Sequence, residues 1–332
     1  MDLRIGINGF GRIGRGFFRC AVERGWQVVA VNDVAGPAAL THLLRYDSTY
    51  GRFPVPVELD GDTIRAGDAA VPVLAARAPK KCDWGSVGAD IVVEATGRFR
   101  DRETAAGHLT SGPRKVIISA PGKSVDATLV MGVNEDTYEP DRHHVVSAAS
   151  CTTNCVAPMV KVLHDAFGID RGYLTTVHAY TADQMLIDGP HKDLRRARSA
   201  ATNIIPTSTG AARSVGLVIP DLAGRLDGVA VRVPVVDGSL TDLTCVLRRE
   251  VTAEEVNEAF AAAAAGGLAG ILRYSTDPIV SHDIIGDPAS CVFDAPLTQA
   301  AGTVAKTFGW YDNEWGYINR LADVVQYVAG RG

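Results

Sequence analysis

The first 149 residues alternate short apolar runs with amphipathic stretches. Residues 12–24 have helical periodicity and end at Gly25. The apolar runs are bounded by turn residues, as buried parallel strands are, and they cover residues 3–8, 27–32, 89–95 and 115–119. Alternation of strand and helix predicts an α/β fold with a doubly wound parallel sheet.

The hydrophobic pattern changes after Gly168. Apolar and polar residues then alternate in β-branched segments, as in a sheet with one covered face, at residues 173–178, 228–235 and 240–247. Helices are predicted at 252–265 and 315–328, and a long irregular segment at 179–200. We expect two domains: residues 1–149, joined by the C-terminal helix 315–332, and an α+β domain over 150–314 with a mostly antiparallel or mixed sheet.

Length and composition agree with two ordinary globular domains. The 332 residues are 46% hydrophobic and 21% charged, enough for a sizeable core. A net charge of −5 gives no general attraction to nucleic acid or anionic membranes. The N-terminus runs directly into a strand pattern, and the six cysteines are scattered, so we expect a reduced cytoplasmic protein without a secretory signal. Cys151 and Cys155 lack a second Cys/His pair, so no metal site is expected.

A glycine motif, Gly9-Phe10-Gly11-Arg12-Ile13-Gly14, follows the first predicted strand and opens the first helix. Glycines in this context allow a tight turn and a close approach of backbone to a pyrophosphate. Asp33 ends the second strand 19 residues after Gly14, the interval expected of an acid that binds a ribose 2′-hydroxyl. The motif therefore predicts a Rossmann-type domain that binds NAD rather than NADP, the alternative being packing glycines beside a solvated aspartate.

Two further positions end predicted strands. Thr96 and Ser119 lie where ligands of open α/β sheets bind, outside the carboxyl ends of the strands. From their positions alone, Thr96 and Ser119 could equally be cofactor contacts or ordinary turn residues.

Cys151 follows a helix-capping residue, Ser150, ahead of a predicted helix at 156–167. A helix N-terminus favours thiolate and can lower a cysteine pKa from about 8.5 to roughly 3.5–7.5. His178 ends a predicted strand and is the candidate base, although a structural histidine would show the same spacing. Pro158 predicts a kink or an irregular first turn. A reactive cysteine in a dinucleotide-binding protein indicates oxidation of an aldehyde through a thioester.

Candidate anion ligands lie further along the chain. Arginine offers a planar fork to phosphate oxygens, and the run from Thr207 to Gly210 before a helix resembles a phosphate nest. The other candidates are Thr181, Arg195, Arg196, Arg198 and Arg232. The alternative for the arginines of the 179–200 segment is ion pairing at a subunit interface.

Together these segments resemble the phosphorylating glyceraldehyde-3-phosphate dehydrogenase family over nearly the whole chain. The matching segments are residues 6–15, 150–155, 191–198, 204–212 and 310–317. The resemblance implies a cytoplasmic, glycolytic homotetramer that uses NAD and inorganic phosphate, with no nucleic-acid or membrane partner. Its substrate would be glyceraldehyde 3-phosphate.

The resemblance also assigns roles to single residues. Cys151 is implied as nucleophile, His178 as base, and Thr181 with Arg232 as the site of the substrate's phosphate. The implied site of the attacking phosphate comprises Ser150, Thr152, Arg196, Thr209 and Gly210. The implied cofactor contacts are Gly9, Gly11, Arg12, Ile13, Asp33, Arg77, Thr96, Ser119 and Asn313.

The chain departs from the family pattern at two places. Ala148 stands where an asparagine is common, and we hypothesise altered Cys151 reactivity, as in an inhibitor-tolerant isozyme. Equal inactivation of the wild type and Ala148→Asn by an epoxide would contradict this. Residues 235–239 replace a usual Thr-Pro-Asn-Val-Ser segment near Arg232, which bears on the geometry of the substrate-phosphate site.

Three other functions are compatible with parts of the sequence. One is the same chemistry on a longer phosphorylated aldehyde, erythrose 4-phosphate. Another is a cysteine hydrolase using Cys151 and His178, against which the glycine motif argues. The last is a non-catalytic binding protein on the same fold.

Overall fold

The computed structural model describes residues 3–331. The chain divides into two compact units. The first unit contains residues 3–129, 135–149 and 318–331, and the second contains residues 130–134 and 150–317. Each unit has its own sheet.

Within the described residues, the first unit is built on a nine-stranded sheet in the order β10-β11-β9-β8-β1-β2-β7-β6-β5. The strands are β1 (Arg4–Asn8), β2 (Gln27–Asn32), β5 (Val57–Asp60), β6 (Thr63–Ala66), β7 (Ala69–Leu74), β8 (Ile91–Glu94), β9 (Lys115–Ile118), β10 (Ala127–Thr128) and β11 (Val145–Ser147), with a separate pair β3 (Tyr46–Asp47) and β4 (Gly51–Arg52). Pairing is parallel from β10 to β7 and antiparallel from β7 to β5. The α/β prediction with a Rossmann-type parallel sheet is confirmed.

The helices of this unit supply the rest of its core. They are α1 (Arg12–Glu23), α2 (Pro37–Arg45), α3 (Arg102–Ala105) and the part of α7 (Trp315–Ala329) from Ile318 on, with 3₁₀ turns at Pro79–Lys81, Ala106–Ser111 and Glu135–Thr137. Phe17 and Phe18 on α1 are fully buried. Arg24 pairs with Asp323 at 2.8 Å, which joins the chain end to α1.

The second unit contains a mixed sheet in the order β13-β14-β12-β15-β19-β17-β16, with β18 added to β19. The strands are β12 (Ile169–Ala179), β13 (Ile205–Ser208), β14 (Leu226–Val233), β15 (Ser239–Leu247), β16 (Leu272–Ser275), β17 (Cys291–Asp294), β18 (Gln299–Ala301) and β19 (Val304–Tyr311). Most pairs are antiparallel, whereas β12–β14 and β16–β17 are parallel. Burial alternates strictly along β15, so one face of the sheet is covered.

The covering layer is helical. Its members are α4 (Cys151–Phe167), α5 (Ala211–Val218) and α6 (Ala253–Ala265), with 3₁₀ turns at Pro220–Leu222, Ser281–Ile284 and Ala295–Leu297. Thr252 and Glu255 form a capping box that starts α6. Helix α4 packs on β12, β15, β17 and β19.

Two local predictions differ from the structure. Helix α4 begins at Cys151, directly after the predicted cap Ser150, and its first turn is helical where an irregular turn was one of the two expectations. It continues through Pro158 to Phe167, so the proline does not end the helix. Residues 180–204 form no regular element, as predicted for this segment.

No helix in residues 3–331 is both long enough and apolar enough to cross a membrane.

Candidate active site

The turn between β1 and α1 is shaped by its three glycines. Gly9 has φ +93°, and a Cβ there would lie 2.6 Å from the Thr96 backbone nitrogen. A Cβ on Gly14 would lie 2.0 Å from the Gly9 carbonyl oxygen, so only glycine allows this close packing. A Cβ on Gly11, in contrast, would meet no atom within 4 Å. The backbone at Gly11 is therefore open to a ligand at the start of α1.

Asp33 holds this turn from the end of β2. Its carboxylate accepts hydrogen bonds from the backbone N–H of Phe10 at 2.7 Å and of Ala35 at 2.9 Å. A carboxylate with two oxygens can accept further donors, such as a ribose hydroxyl. The open turn and the acid together fit the adenosine half of a dinucleotide without a 2′-phosphate.

A cleft opens at the carboxyl ends of these strands. The cleft includes five of the predicted cofactor residues: Gly9, Gly11, Asp33, Arg77 and Thr96. Sequence reasoning missed its other lining residues, which are Asn8, Asn32, Val34, Ala76, Ala95, Arg98 and Phe99. Most of them lie at or just after the carboxyl end of a strand, the signal that could have found them.

Three predicted cofactor residues of the first unit do not line this cleft. Arg12 is paired with Asp47 at 2.6 Å. Ile13 lies in α1 and is half-buried. The Ser119 N–H donates to the Glu94 carbonyl at 3.0 Å.

In the second unit, Ser150 starts α4 and places Cys151 at its first position. The Ser150 hydroxyl accepts the Thr153 N–H at 3.0 Å, an N-cap contact. The Cys151 Sγ lies 3.5 Å from His178 Nε2. The structure thus brings together the two residues that the sequence proposed as nucleophile and base.

His178 is oriented by its own strand. Its Nδ1 lies 2.7 Å from the Ala179 carbonyl oxygen, a contact that requires a proton on Nδ1. Nε2 is then an acceptor and faces the thiol. The Tyr311 ring packs edge-on against the imidazole at 5.9 Å, and its hydroxyl bonds the hydroxyls of Thr152 at 2.9 Å and Thr176 at 2.7 Å.

Burial sets the resting protonation of this pair. It raises the pKa of the Cys151 thiol to about 11 and lowers the pKa of His178 to about 3. Arg232 has a smaller effect and lowers both values, because its charge favours thiolate and opposes imidazolium. Loss of water therefore opposes the helix N-terminus at Cys151, and the expectation that this position favours the thiolate stays a prediction.

The register of the sheet places Arg232 beside His178. Strands β12 and β14 run parallel with His178 opposite Arg232. The Arg232 guanidinium donates to the Ala179 carbonyl at 3.1 Å and to the Thr181 hydroxyl at 2.9 Å. His178, Arg232 and Thr181 therefore form one connected group.

A second arginine joins the group through Asp183. The Asp183 carboxylate accepts hydrogen bonds from Thr181 and Arg196. Arg196 also donates to the Thr207 hydroxyl at 2.9 Å and to the Ser208 carbonyl at 3.3 Å. Sequence reasoning missed Asp183, which lies between the two groups of candidate phosphate ligands.

The remaining predicted residues lie at the ends of elements. Thr209 and Gly210 directly follow Ser208, and Gly210 is the N-cap of α5. Arg195 and Arg198 are exposed, and Arg198 pairs with Asp188 of the same segment at 3.0 Å. Ion pairing of these arginines at a subunit interface stays a prediction. No group of three or more His, Cys, Asp or Glu side chains in residues 3–331 is arranged to hold a metal ion.

The unusual segment at 235–239 contacts Asn313. Gly238 has φ +83°, and a Cβ there would lie 2.1 Å from the Ser281 carbonyl oxygen. The Ser239 hydroxyl donates to Asn313 Oδ1 at 2.6 Å, so this contact uses the amide oxygen of Asn313 and not its amide nitrogen. Ala148, the other departure, is buried.

A Rossmann-type unit with a cleft at the carboxyl ends of its strands, and a second unit with a cysteine 3.5 Å from a histidine, are typical of an NAD(P)-dependent aldehyde dehydrogenase. Two family models match the chain: "Glyceraldehyde 3-phosphate dehydrogenase, NAD binding domain" over residues 3–102 and "Glyceraldehyde 3-phosphate dehydrogenase, C-terminal domain" over 150–313.

Curated relatives match over full length. "Glyceraldehyde-3-phosphate dehydrogenase 1" of Streptomyces avermitilis is 58% identical over 330 residues, 99% of both chains. The "Glyceraldehyde-3-phosphate dehydrogenase" of Streptomyces coelicolor is 56% identical and that of Geobacillus stearothermophilus 54% identical, each over 100% of both chains. The chain belongs to the glyceraldehyde-3-phosphate dehydrogenase family, and NAD as its cofactor is confirmed.

Proposed function

We propose that this chain converts D-glyceraldehyde 3-phosphate to 1,3-bisphosphoglycerate with NAD and inorganic phosphate. The observation that carries the proposal is the 3.5 Å approach of Cys151 Sγ to His178 Nε2 at the start of α4, in a chain of this family. The names of the relatives do not favour the erythrose 4-phosphate or non-catalytic alternatives.

Cys151 and His178 perform the covalent chemistry. As the thiol adds to the aldehyde carbon, its proton passes to Nε2, and Arg232 stabilises the charge that develops on sulfur. The low pKa of His178 keeps its imidazole unprotonated at physiological pH, so Nε2 is a weak base until negative charge develops on the sulfur beside it. Nε2 returns that proton to the aldehyde oxygen to give the thiohemiacetal, and it takes the hydroxyl proton back as the carbon is oxidised to a thioester.

NAD supplies the hydride acceptor for that oxidation. Gly9, Gly11, Asp33, Arg77 and Thr96 would hold it in the first unit, together with Arg12, Ile13 and Ser119, and Asn313 would hold its nicotinamide amide. Cleavage of the thioester by phosphate then frees the sulfur.

Two sets of donors would hold the two phosphate groups. Thr181 and Arg232 bind the phosphate of the substrate. The Arg232 Nε is buried and, within residues 3–331, has no protein hydrogen-bond partner, so the protein leaves this donor unused. Inorganic phosphate is bound by Ser150, Thr152, Arg196, Thr209 and Gly210. Asp183 pairs with Arg196 and offsets its positive charge.

The proposed assembly is a cytoplasmic homotetramer. Residues 1–149 with helix 315–332 act as the NAD-binding domain, and residues 150–314 as the catalytic and tetramerisation domain. Support for assembly comes from the irregular segment 180–204, in which Leu186, Ile187, Leu194 and Ile204 are each at least 70% exposed.

An NADH absorbance assay tests the function. We expect NADH formation from glyceraldehyde 3-phosphate that depends on phosphate and falls by several orders of magnitude in Cys151→Ser, because a serine hydroxyl at this site is a far weaker nucleophile. Activity that persists in that variant would show that a residue other than Cys151 is the nucleophile. A higher kcat/KM with erythrose 4-phosphate than with glyceraldehyde 3-phosphate would show that erythrose 4-phosphate is the preferred substrate.

A further inference from the structure

A buried carboxylate lies beneath the dinucleotide cleft of the first unit. Glu94 ends β8, and its residue is only 2% exposed. The residues that surround it are equally buried: Asn8, Trp84 and His108. Burying a carboxylate is costly unless its oxygens are hydrogen-bonded, so its partners reveal what it organises.

Both oxygens of Glu94 are fully used. Oε2 accepts from Asn8 Nδ2 at 2.5 Å and lies 3.0 Å from His108 Nε2. Oε1 accepts from the backbone N–H of Thr96 at 2.9 Å and from the Thr96 hydroxyl at 2.5 Å. Four donors converge on one side chain, the pattern of an ionised carboxylate.

The His108 tautomer is fixed by Trp84. An indole nitrogen can only donate, and Trp84 Nε1 lies 2.9 Å from His108 Nδ1. Nδ1 is therefore an acceptor, and the ring proton is on Nε2, directed at Glu94. The imidazole is neutral, so hydrogen bonds rather than an ion pair hold the carboxylate in place.

The bonds continue to the surface of the cleft. Asn8 Oδ1 accepts from Asn32 Nδ2 at 2.7 Å, and the Asn32 side chain bonds both the N–H and the carbonyl of Ala76, at 2.7 and 2.9 Å. Asn8, Asn32, Ala76 and Thr96 all line the cleft. One chain of hydrogen bonds thus joins residues at or just after the carboxyl ends of four strands, β1, β2, β7 and β8.

We propose that Glu94 is a positioning residue that sets the affinity of the cleft for NAD by fixing Thr96 and Asn8. The inference rests on the proposed function only in its choice of NAD as ligand. The four hydrogen bonds of Glu94 go to Asn8, Thr96 and His108, all in the first unit, so we expect its effect on cofactor binding and not on the chemical step.

The test is the substitution Glu94→Gln. Glutamine has nearly the same size and shape as glutamate, but its amide nitrogen is a hydrogen-bond donor and would face the donors that now contact a carboxylate oxygen. We expect the Kd for NAD, measured by titration of the full-length protein without aldehyde, to rise roughly tenfold to a hundredfold. KM for NAD should rise with it, while kcat at saturating NAD and KM for the aldehyde stay within about twofold. Glu58→Gln, which changes an exposed carboxylate of β5, is the matched control and should leave Kd unchanged.

Thr96 variants keep the inference testable if Glu94→Gln does not fold. Thr96→Ala removes one of the four donors and should weaken NAD binding, whereas Thr96→Ser keeps the hydroxyl and should restore it. A lower melting temperature with unchanged Kd in Glu94→Gln, or an unchanged Kd in Thr96→Ala, means a merely structural role and overturns the inference. A wild type that binds NAD but does not oxidise glyceraldehyde 3-phosphate overturns the proposed function and leaves this test intact.

Discussion

At the scale of single residues, Arg232 lowers the pKa of both members of the proposed catalytic pair, Cys151 and His178, for opposite reasons. Its positive charge favours the negative thiolate of Cys151 and disfavours the positive imidazolium of His178, so it lowers both pKa values. Burial acts in the same direction on His178 but opposes Arg232 at Cys151. Reactivity of the thiol therefore depends on how much of the burial effect the arginine offsets.

Replacement of Arg232 by glutamine should slow the reaction of Cys151 with iodoacetamide. Loss of the charge raises the pKa of the thiol above about 11, so less thiolate is present at any pH below that value. Each unit of increase slows alkylation by roughly tenfold between pH 7 and 9, and in the wild type the rate should climb with pH over the same range. Mass spectrometry of the Cys151 peptide measures the rate.

Arg225→Gln is the control, since this exposed arginine lies just before β14 in the same unit. It should leave alkylation unchanged. A rate in Arg232→Gln equal to or above that of the wild type would show that the arginine does not favour thiolate.

At the scale of elements, the turn from β1 to α1 separates two roles of glycine. Gly14→Ala would bring a Cβ to 2.0 Å from a carbonyl oxygen of the backbone, which cannot move away easily. Gly11 has φ −74° and open space beside it, so alanine fits the folded protein. The two positions look alike in the sequence motif but differ in what a methyl group would meet.

We expect Gly14→Ala to lower the free energy of unfolding by about 3 kcal/mol or more. Gly11→Ala should change it by less than about 0.5 kcal/mol and yet weaken NAD binding, because the methyl group occupies the approach to the start of α1. Urea denaturation without NAD and an NAD titration measure the two effects. Wild-type affinity in Gly11→Ala would mean that the cofactor does not approach this backbone.

The elements also show what could be predicted from the sequence. Strand β2 could be predicted from its apolar run, and strand β15 from its alternation of apolar and polar residues. At both strands the pattern of the sequence matches the pattern of burial. The sequence indicated the Ser150 cap but not the regular first turn of α4, because Thr152 and Asn154 have low helix propensity, which burial and the cap override. The contact of Arg232 with the neighbours of His178 depends on the parallel register of β12 and β14, a pairing between distant segments that no local pattern encodes.

At the scale of the whole molecule, each unit has a buried core of its own, and the sequence pattern predicted both architectures. The positions of the exposed apolar residues, in contrast, were not predicted by the sequence pattern. Exposed single hydrophobic residues are normal on a protein surface, but Leu186, Ile187, Leu194 and Ile204 all belong to one irregular segment of 25 residues. An irregular segment has no alternation, so its sequence could not indicate which side chains stay in water.

Leu194 and Leu186, 81% and 78% exposed, are the residues whose replacement best tests the proposed tetramer. Burial of each between subunits would contribute roughly 1.5–3 kcal/mol, and an aspartate would place an unpaired charge there. The double variant Leu186→Asp/Leu194→Asp should therefore sediment as smaller species than the wild type, with an unchanged circular dichroism spectrum because neither side chain belongs to a core. Leu59→Asp, at an exposed position of β5, should remain at the wild-type size. A double variant that sediments with the wild type would mean that this segment does not hold the subunits together.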